Sequence, residues 1–451
     1  MSRITTGRLK VLTSSRIYSF PTVENQVEKS DVEFEAELRV INDAFWVRLC
    51  TMSDLGFAEA YMYGEVECDD LVSLFRIFLD NKENLSSLDS KLSYLFTLPQ
   101  TLTSYRFLNT IGNSRSNVSA HYDISNEMFS GFLSRDMTYS CAIFKDLDGD
   151  IKDGPPISLD ELHEAQIRKL KHIIQKAQIC PGHRVLEIGS GWGSMAILIA
   201  QTIQDTHVDT ITLSVQQQTL ARERVAQAGL SDRVEVHLMD YRNMPPEWEG
   251  AFDRVISIEM IEAVGAEFLE RYWEVVDWAM KRDSGVGVIQ AITIPEARYD
   301  RYIKEIDFIR KWVVFPGGFL PTLTLLLQTM RTGSKGRLVV DSVSNIGPHY
   351  ARTLREWRKR FLDRFESVII PALKREFPDV MCGPTGMQEI EVFKRKWICK
   401  LSLVLLIAVL ILRCIDYYCY CEVGFTTRTL GDHIVSFVRE GYQDYGCNVM
   451  E

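Results

Sequence analysis

A chain of 451 residues is too long for one ordinary hydrophobic core, so two domains are expected. With 46% apolar and 25% charged residues it has the composition of a folded globular protein, and a formal net charge of −10 speaks against a nucleic-acid binder. Ten cysteines are scattered without a C-x-x-C pair, which leaves no pattern for a zinc cage or a small disulfide framework; free thiols and no metal are expected.

The N-terminus, MSRITTGRLKVLTSS, lacks the apolar core of a secretory signal, and a cytoplasmic location is expected from that. Short strands follow at LKVL, RIYSF and EFEAELRVI. AFWVRL reads as a further strand after a turn at Asn42-Asp43, and DDLVSLFRIFLDNKE as a helix. Residues 1–100 are therefore expected to form a small α+β domain. The polar, Ser- and Asn-rich stretch at 101–118 reads as a linker, and 119–451 as the second domain.

In the second domain SLDELHEAQIRKLKHIIQKAQI has the spacing of a long amphipathic helix, with Ser158 as its N-cap and Glu161 three residues on. Strand and helix patterns then alternate from VLEIGSG through VDTITLS, RVEVHLMD and FDRVISIEM to GVGVIQAITI. That alternation indicates an α/β fold, a mostly parallel sheet with helices on both faces.

The segment VLEIGSGWGSM at 185–195 is a strand, a glycine loop and a helix start. Gly189, Gly191 and Gly193 allow positive φ and a close approach of a ligand to the backbone, and the helix N-terminus offers its amides. A tight turn without a ligand would carry the same glycines. The dinucleotide fingerprint is G-x-G-x-x-G with an acid about 20 residues on; here the spacing is G-x-G-x-G and the second strand ends TITLSVQQ without a carboxylate. Thr212 and Gln217 are placed to hold a ribose, Asp240 an adenine amino group, and Glu187 the amino-acid end of the ligand. These features favour S-adenosylmethionine over NAD. Upstream, SAHYDISNEMFSGFLSRDMTYSCAIF gathers aromatics with His121, Asp123 and Cys141, either as a cover for the cofactor or as a packed hairpin.

HYDISN, MTYSCAIF, VLEIGSGWG, TLSVQQ, MDYR, IEMIEAVG, FPGG-LP and YCEVGF, in that order, resemble the cyclopropane-fatty-acyl-phospholipid synthases, relatives of the mycolic acid cyclopropane synthases. The resemblance implies a Rossmann-like class I methyltransferase that moves the methyl group of S-adenosylmethionine to a cis double bond of a phospholipid acyl chain, forming a cyclopropane ring. It implies cofactor contacts at Tyr139, Ser140, Glu187, Gly189, Gly191, Gly193, Thr212, Gln217, Tyr241 and Arg242. It also implies a bicarbonate base held at Cys141, Glu262, Gln290, Ile292 and Tyr350, and a catalytic cysteine at Cys421. Two departures stand out: Gln290 where bacterial enzymes carry histidine, and Ala263 where they read E-H-V-G. Alternatives within reach are a methyltransferase acting on sphingolipid or giving a branched-methyl or methylene product, and an inactive lipid-binding homologue.

The substrate would be met at a phospholipid membrane surface by a peripherally associated protein, with a homodimer left open. RYIKEIDFIRKWVVFPGGFLP at 301–321 and the basic helix LREWRKRFLDRF at 354–365 suit anionic headgroups. LSLVLLIAVLIL is an apolar run short of the roughly 17–25 residues of a membrane span. A single membrane segment at about 398–413, a core helix, or a foreign insert at about 399–416 are the three readings of it.

Overall fold

The computed structural model describes residues 4–21, 34–81, 125–152, 160–303, 318–400, 424–444 and 446. The linker expected at 101–118, residues His121 and Asp123, most of the 301–321 stretch, most of the apolar insert and Cys421 lie outside them. The chain groups into two compact units: residues 1–106, 297–314 and 373–430 form one, and residues 107–296, 315–372 and 431–451 the other.

The first unit carries a four-stranded sheet in the order β2-β1-β3-β4, from β1 (Arg8–Leu12), β2 (Ile17–Phe20), β3 (Glu35–Val40) and β4 (Val66–Cys68). Its inward residues, Leu9, Val11, Leu38 and Val40, pack with Phe45 and Phe57 of helix α1 (Ala44–Met62) and with Leu74, Ile77 and Phe78 of α2 (Leu71–Asp80). AFWVRL, expected as a strand, is the first part of α1. Its apolar residues fit a helical face as well as a pleat, because so short a run does not separate the two periods. Asn42 decides locally: its Oδ1 accepts the Ala44 amide at 2.9 Å and its carbonyl accepts Phe45 N at 3.0 Å, starting a helix where a hairpin turn was expected. Phe45→Ala should lower the unfolding free energy of this unit by about 3–5 kcal/mol. A urea midpoint unchanged from wild type would contradict that packing.

The second unit is built on a seven-stranded sheet, order β10-β11-β9-β8-β5-β6-β7. In chain order the elements are α3 (Asn126–Phe132), α4 (Glu161–Lys176), β5 (Arg184–Ile188), α5 (Ser194–Thr202), β6 (His207–Thr212), α6 (Val215–Gln227), β7 (Val234–Leu238), β8 (Arg254–Ile258), α7 (Leu269–Ala279), β9 (Val286–Thr293), α8 (Leu323–Gly333), β10 (Leu338–Asn345), α9 (Gly347–Asp363) and β11 (Gly431–Arg439). Strands β5 to β9 are mutually parallel, as the alternation implies; β11 is antiparallel to β9 and β10 antiparallel to β11. The expected α4 cap, Ser158, lies outside the described residues; Asp160 caps this helix through its side chain on His163 N.

From β5 the chain adds β6 and β7 on one side, then returns to β8 and β9 on the other. The carboxyl ends of β5 and β8 thus form the switch point at which open α/β sheets bind ligands. Apolar β-branched residues bury both faces of these strands, so the loops after them are held by a rigid platform.

Candidate active site

The loop after β5 turns on three glycines with φ of 102° at Gly189, 49° at Gly191 and 85° at Gly193. At Gly193 the left-handed backbone leads into α5 and a Cβ would press on Ala221 at 3.3 Å. At Gly191 a Cβ would meet nothing within 4 Å, because this stretch of backbone lies open at a cavity.

That cavity is lined by Tyr139, Ser140, Gly189, Gly191, Thr212, Gln217, Asp240, Tyr241 and Arg242. Thr212 Oγ1 lies 2.8 Å from Gln217 Oε1, and Asp240 pairs with Arg242 at 2.6 Å, so these side chains are held in place before any ligand arrives. Tyr139 stacks among Phe129, Phe132 and Trp357, and Asn126 of α3 accepts the Trp192 indole N–H at 2.7 Å. The aromatic hairpin is therefore both a packed cluster and a wall tied to the glycine loop.

Glu187 is buried under the loop and does not line the cavity. Its carboxylate accepts Thr210 Oγ1 at 2.6 Å, and Thr210 is 2.8 Å from Ser190 Oγ. Burial pushes this carboxyl up to about 8, partly offset by the Thr210 hydrogen bond. It braces the loop through Thr210 and Ser190.

The deeper wall holds a residue that the motifs did not single out. Glu259 follows β8 with φ of 45°, a left-handed conformation unusual for a residue with a side chain. It is half-buried and lines the cavity. Its Oε1 accepts Cys141 N at 2.8 Å and Gln290 Nε2 at 2.7 Å, and its Oε2 accepts Tyr350 Oη at 2.8 Å. Its backbone N donates to Gln290 O at 2.8 Å, so strand β9 fixes both ends of the residue. Lys169 lines the same cavity, fully buried, with Nζ 2.6 Å from Ser140 Oγ; burial pulls its ammonium down while the charge of Glu259 pulls it up. The sequence did carry a sign of this lysine. It sits on the buried stripe of α4 with Leu162, Ala165, Gln166, Leu170 and Ile173, where a solvated lysine would not belong.

Glu262 stands apart from this carboxylate. Its Oε1 accepts Ile292 N at 2.6 Å and its Oε2 is buried without a partner. Burial, then the charge of Glu259, pushes it up to about 8 from an ordinary 4.5. The folded state thus binds a proton that the unfolded chain releases. Its contribution is full below about pH 4.5 and is lost as pH rises through 8. Glu262→Gln keeps the Ile292 hydrogen bond and should remove a fall of roughly 1.4 kcal/mol per pH unit between those limits. Urea midpoints measured across that range would show it; curves parallel to wild type would contradict it.

The sequence profile described as mycolic acid cyclopropane synthetase matches residues 110–379. The chain belongs to this family. It is 34% identical over 399 residues to the tuberculostearic acid methyltransferase UfaA1 of Mycobacterium tuberculosis, covering 88% of this chain and 82% of that protein. It is also 34% identical over 329 residues to the cyclopropane-fatty-acyl-phospholipid synthase of Escherichia coli strain K12, covering 72% and 77%. Among solved structures, the mycolic acid cyclopropane synthase CmaA1 with SAH and CTAB superposes with a TM-score of 0.54 at 24% identity, over 72% of this chain and 98% of that one. The fold is that of class I methyltransferases, and the cofactor is S-adenosylmethionine.

The family resemblance implies a bicarbonate on Cys141, Glu262, Gln290, Ile292 and Tyr350. The donors present here do not fit one. The Cys141 amide, the Gln290 amide group and the Tyr350 hydroxyl all point at Glu259, and the Ile292 amide points at Glu262. The Cys141 thiol is 3.4 Å from Ala142 O and is pushed up by burial, so it is a neutral group in the core.

Two expectations about lipid contact also change. Arg355 and Arg360 of the basic helix pair with Asp150 and Asp160 at 2.5 and 2.7 Å, and Leu354, Trp357 and Phe361 are buried. Part of that basic face is therefore spent within the protein. Among the described residues no helix is long and apolar enough to cross a membrane.

Proposed function

We propose that this protein transfers the methyl group of S-adenosylmethionine to a cis double bond of a phospholipid acyl chain and closes a cyclopropane ring, with Glu259 as the base. The observation that carries the reading is a carboxylate on the cofactor cavity, held by three hydrogen bonds from Cys141, Gln290 and Tyr350. When bound, the cofactor supplies an electrophilic methyl that the alkene π pair takes, while the carbon–sulfur pair stays on sulfur. The lipid is left with a cation one carbon away. Tyr139, Trp192 and Tyr241 on the cavity wall offer it electron-rich rings, at roughly 0.5–2 kcal/mol each. Glu259 then accepts a proton from the new methyl group, and the freed C–H pair closes the ring.

Glu259 is ready for this task in two ways. Its hydrogen-bond donors come from three separate parts of the chain, so it needs no reorganisation. Burial raises it above an ordinary carboxylate, which makes it a stronger base, and the donors from Cys141 and Tyr350 act against that rise by favouring the charged form. In this reading Glu262 holds the Ile292 amide and with it the end of β9. Glu262→Gln should cost far less activity than loss of Glu259.

The similarity to a tuberculostearic acid methyltransferase over most of the chain favours a second product. A hydride shift before proton loss would leave a methylene branch, with the same groups acting. Incubation with unsaturated phospholipid vesicles and NMR of the recovered acyl chains tests both. Ring protons support the first product and vinylidene protons the second. Unchanged lipid in the presence of bound cofactor would leave only a lipid-binding homologue.

A further inference from the structure

Asp432 lies at the start of β11, just after Gly431, and reaches the same cluster from the antiparallel side of the sheet, where its backbone pairs with Ile292. The Gln290 amide has two N–H groups. One donates to Glu259 Oε1 and the other to Asp432 Oδ2, each at 2.7 Å. This bridge holds one oxygen of each carboxyl against the same amide nitrogen.

Their surroundings are unequal. Glu259 accepts three donors, whereas Asp432 accepts one, is fully buried, and leaves Oδ1 without a partner. Two carboxylates this close cannot both ionise in a low-dielectric site. The charges facing them add to the case. From α4 comes Lys169, a single buried ammonium that attracts both. From the segment after β8 comes Glu262, neutral at pH 7, and the Cys141 thiol and Tyr350 phenol are pushed up by burial and stay protonated. Burial, then the charge of Glu259, drives Asp432 well above the carboxylate range.

We propose that Asp432 and Glu259 share a single proton, carried by Asp432 in the resting enzyme, and that Asp432 thereby sets the basicity of Glu259. This rests on the reading of Glu259 as the base. Asp432 is a positioning residue: its O–H stabilises the Glu259 carboxylate that faces the substrate. At turnover the C–H bond of the methylated chain breaks, its pair closes the ring, and the proton goes to Glu259. The pair passes from monoanion to diacid and returns the proton to water after the product leaves.

The test is the pH profile of methyl transfer for the intact chain and Asp432→Asn. The amide keeps the volume and an acceptor for Gln290, but it replaces a strong O–H donor with a weaker N–H. The acid limb should move up by about one pH unit, so activity below the wild-type limb falls about tenfold more than activity on the plateau. A purely structural Asp432 would scale the rate equally at every pH, and that result would overturn the proposal. Binding of S-adenosylhomocysteine within about threefold of wild type certifies the site.

If Asp432→Asn does not fold, Glu259→Gln decides by infrared spectroscopy. With its charged neighbour gone, Asp432 should ionise beside Lys169, and the carbonyl band of protonated carboxyls should shrink. An undiminished band would count against the shared proton. The two ideas fail separately. A Glu259→Gln enzyme that still turns over sinks the base, whereas an inactive Glu259→Gln with an unshifted Asp432→Asn profile sinks only the pair.

Discussion

Glu259→Gln should bind S-adenosylhomocysteine about as well as wild type and lose about 10²–10⁴-fold in kcat. The substitution is nearly isosteric and the pocket can accept it. Its Oε1 still receives Cys141 N and Gln290 Nε2, and its new amide can donate to Tyr350 Oη, which then acts as acceptor. What disappears is the ability to take a proton. Removing this one acceptor leaves the lipid cation with no ionised group that lines the cavity within the Cys141–Gln290–Tyr350 cradle, so the chain would revert or be captured by water. A kcat within tenfold of wild type would show that the proton leaves by another route. Binding by titration calorimetry and turnover by product formation separate the two effects, because a collapsed cavity would lower both.

Gly191→Val should cost at least about 100-fold in cofactor affinity. Two physical terms act together. The backbone at Gly191 sits at φ of 49°, where a β-branched residue is strained by roughly 1–2 kcal/mol. The space that a Cβ would enter is open and belongs to the cavity wall, so the branched side chain takes room needed by the ligand's close approach to the backbone. The fold itself should survive, since nothing lies within 4 Å of that Cβ. A variant that melts near wild type but binds S-adenosylhomocysteine weakly is the expected pair of results. Unchanged affinity would place the ligand elsewhere.

Much of the fold was legible because β5 to β9 are short runs rich in Val and Ile that alternate with turns and helical patterns. AFWVRL was not, since six residues, five of them apolar, fit either period until Asn42 starts the helix. The cofactor wall was legible for a local reason: the glycine loop, Thr212, Gln217 and Asp240 each lie at the carboxyl end of a strand or a few residues beyond it. The acidic centre was not. It joins residues 141, 169, 259, 290, 350 and 432, which meet only because β11 runs back antiparallel beside β9 and because α9 brings Tyr350 over the end of β8. The resemblance drew attention to Glu262 in IEAVG, three residues away from the carboxylate that the donors actually hold. Signs of the centre were present all the same. Lys169 interrupts an apolar stripe, and Glu259 and Asp432 each abut an apolar strand, positions where a charge needs a partner. What no local pattern supplies is that these three groups are one another's partners.

The most direct measurement is transfer of a radiolabelled methyl group from S-adenosylmethionine to vesicles of unsaturated phospholipid, in buffer stripped of carbon dioxide and again with bicarbonate restored. A carboxylate built into the chain at Glu259 should label the lipid at the same rate in both. Label that appears only with bicarbonate, or no label in either, would contradict it.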